Sequence, residues 1–312
     1  MSVVTVPSSL LDLIGEVAGV ELLAWDMQDE PGRRADIEVV VAPNWRTPWL
    51  KRLDELPALR AVQLGSAGYE HALPFLPEGV ALANAVGVHD TATAELALAL
   101  VLASQRDLPE HVRAQQERTW SPPGEHRSLA DASVLVVGYG GIGRALAARL
   151  QACEAQVSAV ARTAKPGDGL VEQVHAMTDL SALLPAAQIV VLCTPLTDQT
   201  RGLLDATALA QLPDDALVVN VSRGPVLDTD ALLAECASGR LRAALDVTDP
   251  EPLPAQHPLW STPGVLISPH TGGNTTAFAP RMARYVRSQL TAYAGQGNLL
   301  HTVAGPPAGA AT

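Results

Sequence analysis

The sequence predicts an α/β protein built on parallel sheets. Short apolar runs, most of them rich in β-branched residues, alternate with helical patterns along almost the whole chain. This alternation is typical of strands that helices bury on both faces of a sheet. The chain has 312 residues, of which 47% are hydrophobic, and this length suits two ordinary domains or one large one.

The first third of the chain contains five predicted strands followed by a long helix. Asp90 is the expected N-cap of that helix, because its carboxylate can accept from the free N–H groups of the first turn. The strands are predicted at residues 3–6, 21–25, 37–42, 59–64 and 80–85, and the helix at 90–105. The turn-rich segment 119–128 then predicts a connection between structural units.

A second and more regular series of elements follows this connection. Most of its strands are apolar and end at Gly, Pro or a polar residue, and an amphipathic helix is predicted over residues 279–295. The strands are predicted at residues 133–138, 156–161, 188–193, 216–221, 242–247 and 264–269.

Charge and composition exclude several classes of protein. The formal net charge of -12 argues against a nucleic-acid partner, since binding phosphates requires a basic surface. The longest apolar run, residues 96–103, is too short to cross a bilayer, and the N-terminus lacks a signal-peptide pattern. The three cysteines match neither a disulfide framework nor a metal site. We therefore expect a cytoplasmic protein with no membrane partner and no metal.

The strongest single motif is a glycine-rich turn. Gly138, Gly140 and Gly143 form a G-x-G-x-x-G pattern between a predicted strand and a predicted helix, which is the context of a dinucleotide-binding turn. The first glycine permits the tight turn, the second lets a pyrophosphate approach, and the third lets the helix pack on the strand. The N–H groups near Gly141 and Ile142 would bind the phosphates. The alternative is a plain glycine-rich turn.

Cofactor choice is usually set where the second strand of such a unit ends. An acidic residue at that position would bind a ribose 2′-hydroxyl, but this chain has Ala161, followed by Arg162, Thr163 and Lys165. A guanidinium can bind a 2′-phosphate through two hydrogen bonds. The sequence therefore predicts NADP(H) as the preferred cofactor, with NAD(H) possible. The alternative is an arginine that is simply exposed on a loop.

Unusual residues also follow four predicted strands. These are Thr194–Pro195, Ser222–Arg223, Asp246 and Pro269–His270. Ligands of open parallel sheets bind outside the carboxyl ends of the strands, so these residues predict a single crevice on the edge that carries the glycine turn.

Together with the glycine turn, four segments resemble the signatures of the D-isomer-specific 2-hydroxyacid dehydrogenases. They are TPLTDQTRGLL (194–204), NVSRGPVLDTDAL (220–232), ALDVTDPEPLP (244–254) and SPHTGGNT (268–275). The resemblance implies a Rossmann-type, doubly wound dinucleotide-binding domain at residues 98–275. This domain is inserted into a flavodoxin-like substrate domain made of residues 1–97 and 276–312. The active site is expected in the cleft between the two lobes, and the family usually forms homodimers.

By this resemblance, Arg223, Glu251 and His270 are the catalytic residues. Arg223 would anchor the carboxylate and carbonyl of a 2-oxo acid, because its planar fork matches a pair of oxygens. His270 would donate a proton to the developing alkoxide, with Glu251 orienting the ring and favouring the imidazolium. The alternatives are a surface arginine, a solvated carboxylate and a capping or buried histidine.

The resemblance assigns further residues to cofactor and substrate. For Asp246 the alternative to a cofactor contact is a residue that only caps a turn, and for residues 65–68 the alternative to substrate binding is a simple turn. Besides the glycine turn and Arg162, the cofactor residues are Thr163, Thr194, Pro195, Thr200, Ser222 and Asp246, and the substrate residues are Ser66, Ala67, Gly68, Arg223 and His270. Two residues depart from the family pattern. Ala161 stands where the family usually has an acidic residue, and Glu154 stands where it usually has a glycine before the second strand.

The leading hypothesis is an NAD(P)H-dependent enzyme that reduces a small 2-oxo acid, such as glyoxylate or hydroxypyruvate, to the D-2-hydroxy acid. A formate-oxidising relative would typically carry Gln in place of Glu251. A nucleotide-sensing protein, like the corepressors that share this fold, stays open as an alternative, because such relatives keep similar residues.

Overall fold

In the computed structural model the chain forms two compact units, Met1–His89 with Thr275–Thr312 and Asp90–Asn274. The structure describes residues 1–43, 48–120 and 124–306. The strands are β1 (Ser2–Val6), β2 (Val20–Ala24), β3 (Ile37–Val41), β4 (Ala61–Gln63), β5 (Ala81–Ala83), β6 (Ser133–Val137), β7 (Gln156–Ala161), β8 (Lys165–Pro166), β9 (Gln173–Ala176), β10 (Ile189–Leu192), β11 (Leu217–Asn220), β12 (Arg242–Leu245), β13 (Val265–Ile267) and β14 (Thr302–Ala304). The α-helices are α1 (Ser8–Ile14), α2 (Asp90–Gln105), α3 (Leu108–Gln116), α4 (Gly141–Ala152), α5 (Leu180–Leu183), α6 (Ala206–Leu209), α7 (Thr229–Ala237) and α8 (Phe278–Gln296). Short 3-10 segments lie at Pro48–Glu55, Leu73–Phe75, Met177–Asp179, Leu184–Ala186, Gly224–Val226 and Pro258–Trp260.

The first unit is a flavodoxin-like sheet. Its strand order is β14-β5-β4-β3-β1-β2, in which the first five strands follow the 2-1-3-4-5 order and run parallel. Only β14 runs antiparallel, paired with β5. Helices α1 and α8 pack on the sheet, and Ile14, Met282 and Leu290 are buried in the core that they form with it.

The second unit is a Rossmann-type sheet. Its order is β13-β12-β11-β10-β6-β7-β9-β8, which contains the 3-2-1-4-5-6 arrangement from β9 to β12. Every pairing is parallel except that of β8 with β9 at the edge. Both faces are buried, because Leu135 and Val137 of β6 point into one core and Val134 and Val136 into another. The predicted fold class is confirmed in both units.

The eleven strands predicted from apolar runs are all present, and α2 has the predicted bounds. The elements that the sequence pattern did not predict are α1, α3, α5, α6, α7, β8, β9 and β14. These elements are short or lie at edges, so pairing and packing with the rest of the unit stabilise them more than their own periodicity does. β9, for example, has one fully buried apolar side chain, Val174.

The structure and the sequence prediction divide the chain at different residues. The predicted boundary between residues 97 and 98 falls inside α2, whereas the structure places the whole helix in the second unit. The cause is packing, because α2 lies against α4, β11 and β12. Of the predicted connection at 119–128, the described residues also belong to the second unit, and Ser121–Pro123 lie outside the described residues. The roles given to the two domains stay predictions at this point.

Two further observations bear on the chemical setting. None of the helices in the described part of the chain is long and apolar enough to cross a membrane. Cys153, Cys193 and Cys236 are all unpaired. Burial raises the pKa of the Cys193 thiol, next to the glycine turn, to about 12, so this thiol stays protonated at neutral pH.

Candidate functional site

The glycine turn joins β6 to α4, as the sequence predicts. Gly138 follows β6 directly and has a φ of 105°, a conformation that favours glycine. A Cβ on Gly138 would lie 2.6 Å from the carbonyl carbon of Cys193 and 2.7 Å from the amide nitrogen of Thr194. The turn therefore requires glycine both for its dihedral angle and for the close approach of the segment after β10.

The other two glycines of the motif serve different purposes. A Cβ on Gly143 would lie 2.0 Å from the carbonyl oxygen of Gly138, so glycine is needed there for the helix to pack. Gly140 faces open space, with no heavy atom within 4 Å of an added Cβ. The open position stands at the N-terminus of the twelve-residue α4, whose N–H groups attract anions.

A buried hydroxyl beside this turn also favours a ligand. Thr194 follows β10 and is only 4% exposed, yet its Oγ1 has no hydrogen-bond partner among the described residues. A buried polar atom without a partner is costly, and a bound polar ligand would relieve that cost. The turn and the hydroxyl together fit a dinucleotide with its pyrophosphate at Gly140.

The contrast between Gly143 and Gly140 gives a first prediction. We expect Gly143→Ala to destabilise the protein by about 1–3 kcal/mol, because its Cβ has to displace backbone. We expect Gly140→Ala to change the free energy of unfolding by less than about 0.5 kcal/mol and to weaken dinucleotide binding instead. Thermal unfolding and calorimetric titration measure the two effects separately. Equal destabilisation by both substitutions would contradict this division of roles.

The predicted strand-end residues all lie on one edge of the second sheet. Strands β13, β12, β11 and β10 are parallel neighbours, and the chain leaves each of them on the same side. Their carboxyl ends lead to Thr194 after β10, Ser222–Arg223 after β11, Asp246 after β12 and His270 after β13. β6, which carries the glycine turn, pairs with β10 in the same sheet.

His270 and Glu251 form the predicted pair. The Nδ1 of His270 lies 2.7 Å from the Oε1 of Glu251, and the two side chains are 31% and 26% exposed. A carboxylate at this distance fixes the orientation of the ring. The contact with Nδ1 directs the other ring nitrogen, Nε2, away from the carboxylate.

The backbone of His270 is held in an unusual conformation. Its φ is 54°, in the left-handed region that costs a non-glycine residue about 1–2 kcal/mol. The cost is offset by hydrogen bonds, since the N–H of His270 donates to the carbonyl oxygen of Asp246 at 2.8 Å. Strain of this kind is typical of functional sites.

Asp246 holds the rest of the same loop. It is 3% exposed, and its carboxylate accepts hydrogen bonds from the N–H groups of Thr271 at 2.8 Å and Gly272 at 2.9 Å, and from the hydroxyl of Ser268. These contacts fit the capping alternative raised by the sequence. Contact of Asp246 with a cofactor stays a prediction.

Arg223 depends on a residue that the sequence analysis did not single out. The buried side chain of Asn220 donates from Nδ2 to the carbonyl oxygen of Arg223 at 3.0 Å, and its Oδ1 accepts from both the N–H and the hydroxyl of Ser222. Asn220 thus shapes the turn that presents the guanidinium. Its position as a polar residue at the end of an apolar strand was the available signal.

A close backbone contact ties this turn to the next loop. A Cβ on Gly224 would lie 2.0 Å from the carbonyl oxygen of Thr248, so only glycine fits. Thr248 begins the loop that leads to Glu251. The segments carrying Arg223 and Glu251 therefore pack directly on each other.

In the first unit, the loop Gly65–Gly68 is held through its carbonyl oxygens. The oxygen of Gly65 lies 2.8 Å from Nε2 of His89, and the oxygen of Ala67 accepts from the side chain of Asn84 at 2.6 Å. The oxygens of Ser66 and Gly68 also accept hydrogen bonds within the unit. Because C=O and N–H point in opposite directions across a planar peptide, these bonds turn the loop's N–H groups the other way. Anion binding by Ser66, Ala67 and Gly68 stays a prediction.

The remaining predicted cofactor residues fall into two groups. Thr200 is buried, and its hydroxyl donates to the carbonyl oxygen of Pro195 at 2.6 Å, so it shapes the loop after β10. Arg162 and Thr163 follow β7 and are exposed. In the described residues no group of three or more His, Cys, Asp or Glu side chains could hold a metal ion.

Comparison with known proteins identifies the family. Residues 98–272 match the model of the D-isomer specific 2-hydroxyacid dehydrogenase NAD-binding domain. The chain belongs to the D-isomer-specific 2-hydroxyacid dehydrogenase family. The resemblance seen in the sequence and the prediction of an enzyme of this family are thereby confirmed.

Curated relatives in this family carry named activities. A glyoxylate reductase/hydroxypyruvate reductase from Mus musculus is 32% identical over 295 residues, which cover 89% of each chain. A glyoxylate/hydroxypyruvate reductase B from Citrobacter koseri is 34% identical over 72% of this chain and 71% of its own.

Solved structures of the family share the fold along almost the whole chain. One is a D-isomer specific 2-hydroxyacid dehydrogenase from Xanthobacter autotrophicus Py2 in complex with NADPH and MES. It has 28% identity, a TM-score of 0.82, and coverage of 97% of this chain and 98% of its own. Another, an NADPH-dependent glyoxylate/hydroxypyruvate reductase from Sinorhizobium meliloti in complex with NADP and sulfate, has 25% identity, a TM-score of 0.83 and the same coverage.

Proposed function

We propose that this protein uses NADPH to reduce a small 2-oxo acid of the glyoxylate or hydroxypyruvate type to the D-2-hydroxy acid. The observation that carries the proposal is the contact of 2.7 Å between His270 and Glu251, on the sheet edge that also bears Arg223 and the glycine turn. The named activities of the mouse and Citrobacter relatives support the substrate class.

In the proposed reaction, two groups of this chain act on the substrate. Reduced nicotinamide, when bound, supplies the hydride that reaches the carbonyl carbon of the 2-oxo acid. His270, as an imidazolium, donates a proton from Nε2 to the carbonyl oxygen as negative charge develops there. Arg223 binds the carboxylate and the carbonyl oxygen through its guanidinium. The product is a 2-hydroxy acid, and His270 is left neutral.

Glu251 acts in this reaction through His270. Its carboxylate accepts from Nδ1, which keeps the ring oriented and stabilises the positive charge until the proton leaves. In the oxidation direction the same pair works in reverse, with neutral His270 as the base.

The cofactor assignment rests on the residues described above. The proposed phosphate site is the glycine turn with the N–H groups of Gly141 and Ile142, and Thr194 supplies a buried hydroxyl beside it. The remaining proposed contacts are Arg162, Thr163, Pro195, Thr200, Ser222 and Asp246. The NADPH and NADP of the Xanthobacter and Sinorhizobium structures support the cofactor type. Homodimer formation, a cytoplasmic location and the absence of a nucleic-acid partner stay predictions from the sequence.

The proposed activity is tested by following NADPH oxidation with glyoxylate, hydroxypyruvate and pyruvate as separate substrates. We expect turnover that depends on the oxo acid, with D-glycerate as the product from hydroxypyruvate. Incubation of NADPH and enzyme without an oxo acid is the control. Tight NADPH binding without turnover of any of the three acids would instead favour the nucleotide-sensing alternative.

The cofactor preference gives a separate prediction. Replacing Arg162 by Ala should raise the KM for NADPH by about 10–100-fold, because charge-assisted hydrogen bonds to the 2′-phosphate contribute about 1.5–3 kcal/mol. The KM for NADH should change little, since NADH has no phosphate there. Initial-rate kinetics with NADPH and with NADH measure the two KM values. A wild-type enzyme that prefers NADH would contradict the assignment.

A further inference from the structure

The connector between β7 and β9, residues 162–172, is hydrogen-bonded to the glycine turn and α4 through one side chain, that of Asp168. Asp168 accepts a hydrogen bond from the hydroxyl of Tyr139 at 3.0 Å and one from Nε of Arg144 at 2.7 Å. Tyr139 lies within the G-x-G sequence and Arg144 on the first turns of α4. The carboxylate also accepts from the N–H of Leu170 at 3.1 Å, which closes the connector on itself.

This connector carries the residues that follow β7. Arg162, Thr163 and Lys165 are exposed, and the side chain of Arg162 makes no hydrogen bond to another described residue. Nothing in the strand itself therefore fixes where the guanidinium points. The only side-chain hydrogen bonds that link the described connector to the glycine turn and α4 are those of Asp168.

The surroundings of Asp168 favour an ionised carboxylate that holds the connector against the glycine turn. The Asp168 side chain is 26% exposed, and Tyr139 packs against the buried cluster of Ala159, Val171 and Val174. Partial loss of water opposes ionisation, but hydrogen bonds from Leu170, Tyr139 and Arg144 hold the pKa of the Asp168 carboxyl below its usual range. Burial and the nearby carboxylate raise the pKa of Tyr139 to about 12, so its hydroxyl stays a donor.

The charge of Asp168 is also offset locally. A bare carboxylate in this connector would repel a phosphate, whereas the guanidinium of Arg144 lies directly against it. The start of the connector therefore keeps the positive charges of Arg162 and Lys165, while Glu172 lies at its far end next to β9.

We propose that Asp168 is a positioning residue for cofactor selection, which holds the connector against the glycine turn so that Arg162 meets the 2′-phosphate. The inference rests on the proposed NADPH preference. Asp168 acts through the position of Arg162 and does not itself contact the cofactor.

The test measures the affinities for NADP⁺ and NAD⁺ by calorimetric titration of the full-length protein. We expect Asp168→Ala to weaken NADP⁺ binding about tenfold and NAD⁺ binding much less, because only the former uses Arg162. Tyr139→Phe, which removes one of the three hydrogen bonds, should shift the ratio in the same direction by a smaller factor. It serves as the second variant if Asp168→Ala folds poorly.

Two controls distinguish a positioning role of Asp168 from a general loss of protein stability. Asp205→Ala removes a carboxylate that caps α6 by accepting from the N–H of Ala208 at 2.8 Å, and it should leave the ratio of affinities unchanged. In an Arg162→Ala background, Asp168→Ala should cause no further loss of selectivity, since the two residues act through one contact.

The outcomes distinguish this inference from the proposed function. If Arg162→Ala changes the ratio and Asp168→Ala does not, the positioning role is overturned and the NADPH preference stands. If neither substitution changes the ratio, the cofactor assignment fails and the inference fails with it.

Discussion

Replacing His270 by Asn is expected to lower kcat by about 10²–10⁴-fold, the usual contribution of a positioned general acid. The amide cannot supply the proton that the developing alkoxide needs, so the chemical step should become rate-limiting. Asn is chosen because it tolerates the left-handed backbone better than most residues, and His270 has a φ of 54°. The loop should therefore keep its hydrogen bonds to Asp246.

Steady-state kinetics with hydroxypyruvate, together with calorimetric titration of NADPH, check this result. NADPH affinity should stay close to that of the wild type, because His270 acts on the oxo acid. His175→Asn is the matched control, since His175 lies on β9 and contacts the side chain of Gln173. A His270→Asn enzyme with wild-type kcat would remove the proton donor from the mechanism.

Replacing Arg223 by Lys should lower kcat/KM for the oxo acid by about 100-fold, although the charge is kept. An ammonium cannot reproduce the two parallel hydrogen bonds of a guanidinium, and each hydrogen bond to a charged group contributes about 1.5–3 kcal/mol. Arg223→Ala should lose at least as much. The turn itself should survive, because Asn220 binds the backbone carbonyl of residue 223 and not its side chain.

The kinetic signature distinguishes binding from proton transfer. For Arg223→Lys we expect KM for the oxo acid to rise, with NADPH affinity unchanged, whereas His270→Asn should act mainly on kcat. Arg106→Lys, at an exposed position after α2, is the control for a general effect of the substitution. Recovery of wild-type kcat/KM by lysine would show that Arg223 acts only as a positive charge.

Much of the fold and of the candidate site could be predicted from the sequence, for identifiable reasons. Fully buried parallel strands such as β6 and β11 are continuous apolar runs, so the second sheet is visible in the pattern. Two positions of the G-x-G-x-x-G pattern require glycine because of close contacts, since a Cβ on Gly138 or on Gly143 would clash with backbone atoms. Arg223 and His270 stand where strands end, and Glu251 was found through the family resemblance.

Other features depend on contacts that no local pattern encodes. The role of Asn220 follows from a hydrogen bond to a carbonyl three residues later, and that of Asp168 from bonds to Tyr139 and Arg144, 29 and 24 residues away along the chain. The unit boundary before Asp90 likewise follows from the packing of α2 on α4 and not from any break in composition. Short edge elements such as β8 and β14 depend on their partner strands.

The proposed chemistry is tested most directly by a crystal structure of the protein with NADPH and oxalate, a non-reducible analogue of a 2-oxo acid. The proposed mechanism predicts that one oxalate oxygen lies within about 3.2 Å of Nε2 of His270, while the guanidinium of Arg223 donates to the same molecule. Oxalate bound away from both side chains, with NADPH in place at the glycine turn, would contradict it.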